Sequence, residues 1–471
     1  MSRGFWRGRG PIVVIVGTVF VAYTTHSLLR YFSFHAPAYD LGFFDQLTSN
    51  LSAGRGWSSS FVAYDFRGQH WEPILLVWAQ LYRVVQSPVW LLVVASAGLA
   101  AAPWAAWRLA RRWLGEDYPG AVIAALATAL SPLVLRAAGF DYHSEALTPV
   151  LALLALEAAS RRRWLAVAAC CAVLTLLKED AFLVVAGIGW IIFVVERRRA
   201  GLLITAVALA GFVAVVGVYM PAVRGGAPSD LLARYAYLGA GGHATTPGAI
   251  VTGMATHPST WVAHLLSAGP LEGLAVALVP LALLPLLSGW ALLAPLPPLL
   301  LALLSNSPFQ STLVLQYGIE AFPLLLACAL LGWRRVARIR AVGAALLARR
   351  RLLGAVAVAG VVLAVPLSVD LRGRLNDMTG VGRSVAVNAL LSEVPSSASV
   401  SASTGLVAHL SDRPEVTEFP PPGSPAFVVI DTGGDVSAKS QAAGYSDAVQ
   451  RLEVSYRVVA RVDGVVLWER T

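Results

Sequence analysis

Apolar runs separated by short polar knots carry the chain from its first residues to about residue 369. A helix rises about 1.5 Å per residue, so crossing a hydrocarbon core about 30 Å thick takes about 20 mainly apolar residues. On that measure the runs 11–30, 88–107, 121–138, 146–160, 164–177, 181–195, 201–220, 270–287, 290–304, 314–332 and 352–369 predict about eleven membrane-crossing helices. The runs 146–160 and 164–177 are the short ones.

After residue 369 the pattern changes. A stretch with helical spacing around 385–391 leads into "SVSAS", "AFVVIDT" at 426–432 and "YRVVARVDGVVLWER" at 456–470, which have the period of strands. Asp463 and Gly464 fall between two alternating runs and predict a hairpin. The organisation expected is a transmembrane domain over 1–369, with a first outer loop at 31–87, and a small α/β domain over 370–471. Neither GxGxxG nor a P-loop occurs in the tail, which assigns it no cofactor.

Arginines gather between the runs. Arg3, Arg7 and Arg9 precede the first; Arg108, Arg111 and Arg112, then Arg161, Arg162 and Arg163, then Arg197, Arg198 and Arg199, and the stretch 334–351 follow. Alternate crossings put all of them on one side, and the positive-inside rule makes that side and the amino terminus cytoplasmic. The opposite face collects 30–87, 139–145, 178–180, 222–269, 305–312 and the tail.

Composition supports this reading. The chain is 57% hydrophobic and 13% charged, against roughly 45–50% and about 25% for soluble domains. A formal charge of +9 would suit nucleic acid, but its clustering at span ends assigns it to the bilayer and leaves no nucleic-acid partner. Of three cysteines, Cys170 and Cys171 are adjacent and Cys328 stands apart, with no disulfide or metal spacing.

Ionisable groups near membrane depth are costly, which makes them candidates for function. "YDLGFFDQ" at 39–46 holds Asp40 and Asp45, which on a helix point about 140° apart and so are not a close pair. One reads as catalytic and the other as structural, and the plain alternative makes Asp40 a helix N-cap. "RGQHWEPIL" at 67–75 offers His70 and Glu72 as substrate-binding groups ahead of an amphipathic helix ending near Gln86. In "GFDYHSEAL" at 139–147, Asp141, His143 and Glu145 are candidate ligands for a divalent cation, Mg or Mn, or the setting of a general base. In "LLKEDAF" at 176–182, Lys178 could meet an anionic group such as a lipid phosphate, with Glu179 beside it; internal pairing or snorkelling is the bland reading. Tyr317 is a weaker substrate-binding candidate, in company with Gln316 and Glu320. Tyr39, Phe43, Trp57 and Trp71 could stack on sugar rings, or belong to an interfacial belt.

Together "YDLGFFDQ", "GQHWEPIL", "FDYHSEAL" and "LLKEDAF", in this order, resemble a bacterial family of polytopic membrane proteins of unknown function that looks like a branch of the GT-C glycosyltransferase superfamily. The resemblance covers about 30–330, and "SASVSASTGLVAHLSDRPEV" in the tail is also similar to that family. Ser144 stands where the family pattern leads one to expect proline. The resemblance implies a GT-C-like fold in the cytoplasmic (inner) membrane, with the active face outside. It implies a sugar taken from a polyprenyl phosphate carrier and passed to an extracytoplasmic acceptor, and an acidic residue in the first outer loop. Asp40 matches that acid as base of an inverting displacement, with Asp45 as the alternative. The rival reading is a transporter or flippase of a lipid-linked substrate, in which the acids relay protons or cations.

Overall fold

The computed structural model of the chain describes residues 10–115, 118–338, 380–432 and 445–471. The run 352–369, the arginines at 3, 7 and 9, and the cut expected at 369/370 lie outside the described residues. The chain divides into two units: Met1–Tyr23, Arg67–Ile74 and Ala95–Val369 form one, and Thr24–Phe66, Leu75–Val94 and Asp370–Thr471 the other. Of the expected first outer loop, only 67–74 groups with the apolar helices of the first unit.

Apolar runs do become helices, but among the described residues fewer have the length of a span than their number suggests. Gly10–Phe32, Val89–Trp113 and Ala200–Arg224 are long and apolar enough to cross a membrane, and bent pairs raise the number to six at most among the described residues. The expected eleven are therefore not recovered, for two physical reasons. Trp164–Leu177 and Ala181–Glu196 have 14 and 16 residues, about 21–24 Å at the helical rise, short of a hydrocarbon core. Proline breaks others: Pro132 restarts a helix after a 45° bend, and Leu284–Leu293 turns by 104° into Leu296–Leu303, where Pro295 occupies the N-cap. The expected run 314–332 is helical only from Phe322–Arg338.

Close packing holds this unit. Helix Ala181–Glu196 lies against Ala200–Ala214, and a Cβ on Gly189 would stand 2.7 Å from the Thr205 backbone nitrogen, so only glycine allows the approach. At one end of the helices, Glu157 is buried and meets Arg108 (3.1 Å) and Arg161, while Arg112 donates to the Ser160 carbonyl (2.9 Å). Two of the arginine clusters are thus tied to one helix terminus.

The second unit is built on a five-stranded sheet: β1 (Val400–Ala402), β2 (Val416–Glu418), β3 (Phe427–Asp431), β4 (Tyr456–Val462) and β5 (Val465–Arg470), in the order β2-β1-β3-β5-β4. β1 pairs parallel with β2 and β3, and β5 pairs antiparallel with β3 and β4. Asp463 and Gly464 both take positive φ, +46° and +81°, as a tight hairpin turn demands, and Val462 faces Val465 across it. Helix Ser384–Leu391 buries Val387, Leu390 and Leu391 against β1, β3 and β5 core residues. Phe34 and Ala38, far earlier in the chain, belong to that same core. Gly405 makes the fit possible, because the Phe34 carbonyl occupies the place a Cβ would need.

Candidate functional site

Three of the polar motifs meet inside the first unit. Where helices Trp164–Leu177 and Ala181–Glu196 meet, Lys178 is extended (φ −167°, ψ 161°) and ends the first helix, so that Lys178, Glu179 and Asp180 leave the helical path together. Segment 67–74 docks alongside: the Ile74 N–H donates to the Leu176 carbonyl (3.0 Å) and the Trp71 indole to that of Thr175 (2.8 Å). The turn 139–147 supplies the third side.

Side chains of these segments are joined directly. Lys178 forms an ion pair and hydrogen bond with Glu145. Glu179 accepts from the Trp71 backbone N–H (2.9 Å) and pairs with His70 Nδ1 (2.9 Å). Ser144 donates to Glu72 (2.8 Å) and lies 3.0 Å from the Tyr142 hydroxyl. Ser144 is thus the residue that holds Glu72.

Sites with more acid than base must protonate some of their acids. Glu72, Glu145, Glu179, Asp180 and Glu320 all act on Lys178 or on one another. Burial alone would push Glu145 up, but the Lys178 ammonium and the His143 ring outweigh it and hold the carboxyl at about 2. Glu179 is likewise buried and likewise held down, by His70 and Lys178. Glu72 goes the other way: burial and the Glu145 charge raise it well above the carboxylate range. Burial and Glu179 raise Asp180 to about 7. Burial works against the Lys178 cation, yet Glu145, Asp180 and Glu179 together keep it protonated well above its ordinary value. One Glu145 oxygen, one of Glu320 and the Gln316 carbonyl oxygen are buried without a hydrogen-bond partner.

Asp141, His143 and Glu145, the expected cation ligands, are not gathered around one point. Glu145 turns to Lys178, His143 stacks on Phe140 with ring centroids 5.3 Å apart, and no group of three or more His, Cys, Asp or Glu among the described residues is placed to hold a metal ion. Tyr317 reaches the cluster through Arg234, which donates to it (3.4 Å) and to Gln310 (3.1 Å) and which lowers Asp180. Arg234 and the pairing of Ser144 with Glu72 escaped the sequence reading. A signal was there for Lys178 at least: the chain has only two lysines, Lys178 and Lys439, against 34 arginines.

Asp40 and Asp45 belong to the second unit. Pro37, not Asp40, takes the N-cap position, and Asp40 lies in the following π-helical turn Ala38–Gly42, partly exposed beside the exposed Tyr39. Such turns interrupt regular helix pairing and recur at functional positions. Asp45, in the first turn of helix Phe43–Ser52, is 1% exposed and bonded to Ser411 (2.6 Å).

A family described as "Predicted membrane protein (DUF2079)" matches residues 30–467. The fold is similar to that of ArnT from Cupriavidus metallidurans. Its structure bound to undecaprenyl phosphate aligns with a TM-score of 0.51 at 15% identity over 98% of both chains. Its apo structure aligns at 0.50 and 16% identity, over 96% of this chain and 97% of that one. No curated protein matches.

Proposed function

The chain belongs to the DUF2079 family of predicted membrane proteins, and from that premise we propose that it is a membrane glycosyltransferase moving a sugar from a polyprenyl phosphate carrier to an extracytoplasmic acceptor. The observation that carries the reading is Lys178: one of two lysines in the chain, 8% exposed, and held as a cation where apolar helices end. The GT-C-like fold supports it, and among the neighbours ArnT was solved with a lipid phosphate bound.

The reaction is a single inverting displacement. An acceptor hydroxyl attacks the anomeric carbon, the bond from that carbon to the carrier phosphate breaks, and the hydroxyl proton passes to a carboxylate base. Asp40 is the proposed base, since it is the more accessible of Asp40 and Asp45. Lys178 is the group proposed to meet the charge of the departing phosphate. His70, Glu72 and Glu179 frame it, and Tyr317 with Arg234 lines its approach. The membrane is the bacterial cytoplasmic one, with the reaction on its outer side.

One observation favours the rival: helix pairs bent by 60° and 104° are the kind of broken helices that transporters of lipid-linked substrates use. Purified protein in lipid, given radiolabelled polyprenyl phosphate sugars with Mg, Mn or chelator, separates the two. Label leaving the carrier, and lost by about 10²–10⁴-fold in Asp40→Asn with carrier binding intact, supports the transferase. Label that changes leaflet without leaving the carrier replaces it with the flippase. The chelator arm reads any need for a divalent cation.

A further inference from the structure

We propose that Asp45 is a proton-carrying positioning residue: through Ser411 it pins the segment that bears Asp40 onto the C-terminal sheet, and losing its proton loosens that segment. The proposal rests on Asp40 being the base only for its consequence in catalysis.

Hydrogen counting carries it. Ser411 Oγ lies 2.6 Å from Asp45 Oδ2 and 3.1 Å from the Ala408 carbonyl oxygen. A hydroxyl has one proton and cannot make a full-strength bond to both. A protonated Asp45 resolves the conflict, because the carboxyl then donates to Ser411 and Ser411 donates to Ala408. An ionised Asp45 leaves either the Ala408 carbonyl or the Asp45 Oδ2 without the Ser411 proton.

The surroundings agree. Tyr31 from helix Gly10–Phe32, Tyr82 from helix Leu75–Tyr82 and the Asp412 carboxylate are the titratable groups that act on or answer to Asp45. The nearby Arg413 guanidinium is directed elsewhere, to the carbonyls of Leu410 (2.6 Å) and Pro395 (2.9 Å) and toward Asp412 (4.0 Å). Burial raises the Asp45 carboxyl to about 7 against the pull of the Ser411 and Tyr82 hydroxyls, and Asp412 adds to the rise.

Asp40 lies between two such ties. Before it, the Ala38 N–H donates to Thr404 Oγ1 (3.1 Å), just past β1. After it come Asp45 and then Gln46, whose amide donates to Ser60 (2.7 Å) and to the carbonyls of Arg413 and Pro414 while its oxygen accepts from Ser59 (2.7 Å). Between them Gly42 packs on Val407, which leaves 3.0 Å for a Cβ. The C-terminal domain is on this reading the template of the catalytic loop.

The sign follows from linkage. A carboxyl raised in the folded state stabilises it fully below the ordinary carboxylate value of 3.8, and that contribution is lost as pH climbs to about 7. The test is hydrogen–deuterium exchange of the full chain in lipid nanodiscs at pH 5 and pH 8, corrected for intrinsic rates. In the wild type, opening of peptides covering 36–52 rises at least about tenfold at the higher pH, while β3 peptides stay put. In Asp45→Asn, whose amide can donate to Ser411 at any pH, the pH dependence disappears; in Ser411→Ala the segment is open at both values. A wild-type segment indifferent to pH, or an Asp45→Asn segment as open as Ser411→Ala, overturns the proposal. The kinetic readout is a fall in kcat between pH 5 and 8 that shrinks in Asp45→Asn, with KM for the carrier unmoved. If exchange behaves as stated but no donor is ever turned over, the transferase reading fails and the pin stands. If exchange is flat while donors react, the pin fails and the transferase stands.

Discussion

Glu145 in the first unit and Asp45 in the second are almost equally hidden, 2% and 1% exposed, yet their carboxyls are shifted in opposite directions. Glu145 has a lysine on it and stays ionised near pH 2; Asp45 has hydroxyls and another acid near it and keeps its proton to about 7. Burial has the same direction in both. What differs is whether a cation of the chain accompanies the acid into the interior; the buried Glu157 likewise has Arg108 and Arg161 beside it. Buried charge is tolerated when it is paired, and is otherwise titrated away.

That contrast can be broken most severely at Lys178. Lys178→Met leaves several carboxylates facing one another and should cost about 3–5 kcal/mol, read as a lower unfolding temperature in detergent, together with loss of carrier-dependent transfer. Glu145→Gln reverses the fault by stranding the ammonium; Glu179 and Asp180 still accompany it, so a smaller loss of about 1–3 kcal/mol is expected. Ser411→Ala removes the hydroxyl that answers both Asp45 and Ala408, for about 1–2 kcal/mol in the same melt. Glu72→Gln is the mild control: Glu72 is raised well above the usual range and accepts from Ser144, which a neutral amide also does, so the melt should move by less than about 1 kcal/mol. A large loss there would show Glu72 to be ionised and would end the division of the cluster into charged and neutral acids.

Asp180 sharpens the comparison by pH. Raised to about 7, it contributes stability that is complete below its ordinary value and lost as pH rises through 7. Asp180→Asn should therefore flatten the decline in unfolding temperature across the interval from about pH 4 to about pH 7, and an unchanged slope would place the titrating group elsewhere.

Much was legible locally. The apolar runs announced helices, Asp463-Gly464 announced its hairpin, and three motifs separated by up to a hundred residues were each recognisable as polar interruptions of greasy sequence. What stayed illegible was pairing. Nothing near Asp45 in the chain mentions Ser411, 366 residues away, and Glu145 and His70 gave no hint that one would take Lys178 and the other Glu179. The count of spans is not confirmed for a related reason, since a proline inside an apolar run alters direction without altering hydropathy.

The sequence by itself determined where polar groups interrupt apolar helix, because the cost of exposing backbone and charge to hydrocarbon acts residue by residue. Tertiary structure alone decided which of those acids are charged. Protonation of a buried group depends on what stands within a few ångströms of it, and in this protein those neighbours come from distant parts of the chain.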